Sequence, residues 1–163
     1  MLFQAALTLA TILCWLVTGF LFAFAVVVMP GIRNLDDASY IRAFQAIDRV
    51  IENNQPLFVL MWVGAVLALI AAAVLGFRAL GGGDGLVLAL AALGYLVGVQ
   101  LPTMAINVPL NKELQRLDVA SLTEAARQQA RAAFEPRWNR WNVIRTVCAG
   151  LVSTALTLLL LGA

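Results

Sequence analysis

The chain contains no histidine. That removes the commonest side-chain metal ligand, the usual haem ligand and the usual general base near neutral pH. Cysteine is scarce as well. Cys14 and Cys148 are far apart, form no CxxC, and both lie in apolar stretches, so they read as small packed hydrophobes rather than a redox or metal pair. Charge is thin at 12% of residues, and the net charge of +2 is too mild and dispersed for a nucleic-acid partner. No GK[ST] follows the Gly81-Gly82-Gly83-Asp84-Gly85 run, which therefore reads as a tight turn and not a phosphate loop. Strict apolar/polar alternation is missing too, which argues against a membrane β-barrel.

What is present is hydrocarbon. Hydrophobic residues make up 62% of the 163, and the mean hydropathy is +0.89. They fall into four long blocks, at about residues 5–29, 57–77, 86–106 and 143–162. Each is long enough to cross about 30 Å of hydrocarbon as a helix. The expected fold is all-α: one four-helix transmembrane bundle over residues 1–163, with amphipathic helical connections on one side. Ala23-Phe24-Ala25 looks like a signal-peptide cleavage site. However, no Lys or Arg precedes it and the apolar run continues through Val28, so a retained span is expected. Pro30, Pro56, Pro109 and Pro136 lie near span ends, and Pro102 should kink the third span.

The connections carry the charge. In the first, Tyr40, Phe44, Ile47 and Ile51 recur at helical spacing, with Asp36, Asp37 or Ser39 placed to cap the helix start. In the third, Ser121 with Glu124 fits a capping box opening a short helix to about Phe134. Pro136 then fits the first turn of a fourth helix that begins before the membrane. Of the 11 basic residues, all but Arg78 fall in or beside these two connections. The positive-inside rule makes that side cytoplasmic and both termini external, in a multi-pass protein of the cell's inner membrane. Arg127, Arg131, Arg137 and Arg140 would meet anionic lipid there. Small residues at four-residue spacing (Gly19/Ala23, Gly94/Gly98, Ala149/Ser153) point to close helix packing within the bundle, with a homodimer as the alternative. Met29-Pro30 with Leu35, and Val108-Pro109 with Leu114, hint at two similar hairpins in parallel orientation, although so short a match also arises by chance.

Several polar residues need explaining. Gln100, Thr103, Asn107 and Asn111 form one helical stripe that descends toward the charged side, and Trp138, Asn142 and Arg145 form another, with Trp141 beside it. An arginine inside a span is expensive and normally turns inward to a partner. Asp48 and Glu52 are candidate partners, and Asn107 and Asn111 offer amide oxygens. The two stripes and the Asp48 helix would then wall a polar pocket at the cytoplasmic end. A structural reading competes: Asn capping helix ends beside proline, Trp at the interface, Arg snorkelling to headgroups.

Asn107-Val108-Pro109-Leu110-Asn111, followed by Trp138, Asn142 and Arg145, resembles the anthrone oxygenase-like membrane family, many of whose members carry only a domain-of-unknown-function label. Met29-Pro30 and Asp48 with Asn53-Asn54 fit it too. The resemblance implies a small four-span protein that oxidises a lipophilic aromatic with no obvious cofactor. Trp138 or Trp141 would stack on the ring system, beside Gln100 and Thr103. Asn107, Asn111 and Asn142 would hydrogen-bond, Arg145 would stabilise an oxyanion, and Asp48 would be the base. A non-enzymatic lipid- or partner-binding accessory protein is the alternative, and transport a weaker one.

Overall fold

The computed structural model of the protein describes residues 1–79 and 82–162. All secondary structure among the described residues is helical, in five helices. They are α1, Leu2–Ile32; α2, Asp37–Glu52; α3, Pro56–Ala79; α4, Gly82–Gln115; and α5, Glu124–Gly162. Four of them, all but α2, are long and apolar enough to cross a membrane, so the chain is a multi-pass membrane protein.

The long helices outrun the expected spans at the connection end. A hydrocarbon crossing takes about 20 residues, yet α4 has 34 and α5 has 39. The excess folds into a head outside the bundle. Pro136 lies within an uninterrupted α5 instead of opening a new helix. The capping box does not form either. Thr123 Oγ1 accepts from Ala126 N–H at 3.3 Å, while Ser121 Oγ turns back to the Asp118 carbonyl at 2.9 Å. Asp36 is the cap of α2, accepting from Ser39 N–H at 3.0 Å. The glycine run is less of a turn than expected. Gly81 lies outside the described residues, Gly82 takes a left-handed φ of 57°, and α4 is already under way by Asp84. An acidic side chain in the first helical turn suits the positive end of the helix dipole.

Three turns widen to π geometry: Phe24–Val28 in α1, and Leu96–Gln100 and Thr103–Asn107 in α4. Each ends two residues before a proline (Pro30, Pro102 and Pro109). A proline donates no hydrogen bond, and its ring crowds the carbonyl four residues back. Widening the turn makes room for the ring and keeps the chain helical. The first and third of these turns sit at matching places in the two hairpins noted above.

Two apolar clusters result. One lies within the spans and is built from small and aliphatic side chains such as Leu7, Ala10, Val17, Ala65, Ala72, Val99, Ala149 and Leu156. Gly94 and Gly98 let α4 approach Val152 and Cys148 of α5, and Thr18 meets Ser153 at 3.0 Å between α1 and α5. A side chain at Gly19 would meet no neighbouring helix, and Gly19 and Ala23 both face outward. The other cluster is the head. It joins Met29, Tyr40, Ile41, Phe44, Leu110, Leu114, Phe134 and Trp138, and so ties α2 to the projecting ends of α1, α4 and α5. The polar stripes lie between the two.

Candidate functional site

Arg145 is 4% exposed and points into the bundle. Its partners are not those expected. Nη1 donates to Thr103 Oγ1 at 2.9 Å and Nη2 to Asn142 Oδ1 at 3.0 Å. Asp48, Glu52, Asn107 and Asn111 make no bond to it among the described residues. The reasons are local. Asn142 sits one turn before Arg145 on the same helix. Asn111 is consumed elsewhere, and Glu52 is exposed. Arg145 Nε is buried without a partner. The guanidinium carbon lies 5.8 Å from the Trp138 ring centroid.

The main chain holds this unit in place. Asn142 Nδ2 donates to the Leu21 carbonyl at 3.0 Å, just before the widened turn of α1. Thr103 Oγ1 donates to the Val99 carbonyl at 2.7 Å, beside Pro102. Each polar side chain that meets the guanidinium is thus oriented by a carbonyl near a π turn. A hydroxyl that donates to a carbonyl keeps its lone pairs free to receive the cation.

A second unit surrounds Asp48. Trp138 Nε1 donates to Asn111 Oδ1 at 2.7 Å, and Asn111 Nδ2 donates to Asp48 Oδ1 at 2.7 Å. Gln115 Nε2 donates to Asp48 Oδ2 at 3.2 Å and to the Gln45 carbonyl at 2.9 Å. Gln45 in turn donates to the carbonyls of Leu114 and Leu117, which closes the end of α4. Burial raises the Asp48 carboxyl above its ordinary pKa, the Glu52 charge adds to this, and the Gln115 and Asn111 amides work against it.

Both units line one cavity of about 600 Å³, within the size range of small-molecule sites. Phe20, Phe24, Phe44, Phe58, Trp62 and Trp138 give it aromatic walls. Phe58 and Trp62 are stacked, with centroids 5.5 Å apart and 21° between planes. Gln100, Thr103, Asn107, Asn111, Asn142, Asp48 and Arg145 all reach the lining. Trp141 does not; it lies half-buried on another face of α5. Three polar atoms of the lining residues are buried and unpaired: Arg145 Nε, Gln100 Nε2 and Asn107 Oδ1. The other ends of those amides are fixed. Gln100 Oε1 accepts from Trp62 Nε1 at 3.0 Å, and Asn107 Nδ2 donates to the Trp138 carbonyl at 3.3 Å. The unmet demand is therefore two donors and one acceptor. Among the described residues no three His, Cys, Asp or Glu side chains come together to hold a metal ion.

Sequence reasoning missed most of the walls. Phe20 with Phe24, and Phe58 with Trp62, are pairs one helical turn apart, so the signal was there within spans read only as apolar. It also missed Gln45 and Gln115. Nor are the basic residues of the head all alike. Arg131 is engaged within the protein and Arg127 Nε donates to the Val119 carbonyl at 3.1 Å, whereas Arg137 and Arg140 are exposed.

The sequence model of one protein family, described as anthrone oxygenase, matches residues 47–155, about two thirds of the chain. That segment holds every polar side chain of the cavity. Comparison with curated proteins returned no match, and comparison with solved structures returned none.

Proposed function

Because the chain belongs to the anthrone oxygenase family, we propose that it oxidises a flat, lipophilic aromatic ketone with molecular oxygen in the cavity beside Arg145. The observation that carries this reading is a buried cation that forms no ion pair among the described residues, in the wall of an aromatic-lined cavity. Such a cation is costly unless something negative comes to it. An enolate does so when it forms.

The chemistry needs little else. An anthrone carries a CH₂ between two rings, opposite its carbonyl. Loss of one of these protons moves the electron pair to the carbonyl oxygen. In our reading Asp48 receives the proton, its raised pKa matching it better to the task than a free carboxylate. Arg145 Nε and the other guanidinium N–H groups stabilise the oxyanion. Oxygen then adds at the carbanion carbon, the proton returns, and a hydroperoxide results. Elimination of water from it leaves the second carbonyl. One O₂ is consumed, one oxygen atom stays in the quinone and the other leaves as water. Trp138 and the Phe58–Trp62 stack hold the ring plane, and Gln100 and Asn107 address its polar substituents. We place the head on the cytoplasmic side by its basic residues.

The test is oxygen uptake by the purified full-length protein in phospholipid vesicles supplied with anthrone. Uptake with one anthraquinone formed per O₂, above the rate of protein-free vesicles, is the expected result. No excess over those vesicles removes the enzymatic reading. The exposed Arg137 and Arg140 favour a second reading, an accessory protein that holds anionic lipid. Phospholipid retained in native mass spectra, without any such oxygen uptake, would select it.

A further inference from the structure

We propose that the cavity fills sideways from the bilayer, through a gap between α3 and α4 bridged by the Trp62–Gln100 hydrogen bond. The helix packing leads there. α3 packs against α4 mainly over the stretch Gly82–Tyr95, with little contact beyond it, while α1 and α5 stay packed on their neighbours. The contact thins where α4 enters its two π turns around Pro102. α3 is also the most peripheral span, with only 22% of its apolar window buried.

The cavity reaches the membrane-facing surface at this gap. Its lining includes Val63 on one lip and Met104 on the other, and these are 49% and 73% exposed. Among the described residues one polar contact spans the gap, from Trp62 Nε1 to Gln100 Oε1 at 3.0 Å. Both partners line the cavity, and Gln100 Nε2 is unpaired, so the bridge is a single bond and not part of a network. Methionine is flexible enough to yield to a passing ring. A ligand that partitions into lipid would meet this opening before any aqueous one. The polar layer behind the lips retains the ligand, and the aromatic walls accept its face.

The inference rests on the cavity being a site for a lipophilic aromatic, but not on any reaction there. Its test reads entry alone. In a background of Cys14→Ala and Cys148→Ala, Leu21→Cys places one thiol on the α1 wall of the cavity. N-(1-pyrenyl)maleimide dissolved in the vesicle bilayer is the probe. The thiol adds across the maleimide double bond, sulfur bonding to one carbon and the proton going to the other, with nothing released. Anaerobic labelling followed by pyrene fluorescence gives the rate. Met104→Trp and Val63→Trp, each added separately, should slow it about tenfold, as an obstructing side chain in a fitted gap would. Gln100→Leu should speed it. Leu16→Trp, on the groove between α1 and α3, should leave it unchanged. Labelling that ignores both lip variants, or slows only with Leu16→Trp, or fails altogether, overturns the portal. Normal labelling without anthrone oxidation would instead sink the proposed function and leave the portal standing.

Discussion

Two arginines of α5 lie four turns apart and are treated in opposite ways. Arg131, in the head, has all three of its guanidinium nitrogens hydrogen-bonded. It meets Asp37 at 3.1 Å and Glu135 at 2.8 Å, donates to the carbonyls of Arg33 and Leu35, and lies 4.2 Å above the Tyr40 ring. It closes the turn between α1 and α2 against α5. Among the described residues Arg145 has no carboxylate partner, two neutral acceptors and a bare Nε in a cavity wall. A cation with every nitrogen engaged and two carboxylates beside it is structural. A buried cation left partly unsatisfied destabilises its own fold, and proteins keep such groups at working sites.

The contrast can be broken most sharply at Arg145. Arg145→Met should lower anthrone oxidation about 10²–10³-fold, the usual cost of losing one preorganised oxyanion donor. Its thermal unfolding midpoint in detergent should match or exceed that of the parent, because an uncompensated charge has gone. A large loss of stability with activity intact would reverse the assignment. Arg131→Met should do the opposite. It removes two part-exposed ion pairs and two hydrogen bonds to carbonyls, so stability should fall by about 1–2 kcal/mol in denaturant titration, while the fraction still folded keeps its kcat/KM. Asp48→Asn is expected to reduce turnover about 10²-fold and to remove the acidic limb of the pH–rate profile. Stability adds a signed check. The folded carboxyl holds its proton more tightly than the unfolded one. The parent should therefore lose stability as pH rises from the unfolded carboxylate value to the raised folded one, and stay level above it. The Asn variant should show no such slope. The smallest effect expected is for Trp138→Phe, which keeps a ring and deletes the bond to Asn111. It should cost about 1 kcal/mol in stability and disturb the Asp48 limb by freeing Asn111 to reorient.

Much of this was legible in the residues themselves. Four apolar blocks and an inward Arg145 follow from spacing and charge, and the family from the resemblance carried by Asn107 to Asn111 with Trp138, Asn142 and Arg145. Spacing places Asn142 on the Arg145 face of its helix but does not name it as the partner. Asp48 was expected near the same pocket and lines it. What spacing could not give was the pairing across helices. Asn111 and Arg145 both face the cavity, but which amide meets which charge depends on the rotation of α4, and two π turns alter that rotation. Those turns respond to Pro102 and Pro109 in three dimensions. From sequence, Pro102 predicted only a kink. Trp141 was expected beside the Trp138–Asn142–Arg145 stripe, yet it is one residue from Asn142, and a step of one residue turns a helix by about 100°, which is enough to carry it out of the cavity. Pro136 seemed to mark a helix start because proline favours first turns. It sits exposed within α5 instead, between Phe134 and Trp138, whose burial in the head holds the helix across the lost hydrogen bond.

The central claim is that Arg145 waits for negative charge on a ring oxygen. A hydroxyanthraquinone, whose phenol and phenolate absorb at different visible wavelengths, reports this directly without turnover. Bound to the protein in vesicles and titrated by absorbance, it should ionise at a lower pH than when bound to the Arg145→Met variant. Equal ionisation in the two proteins, with the dye bound equally well, would contradict the claim.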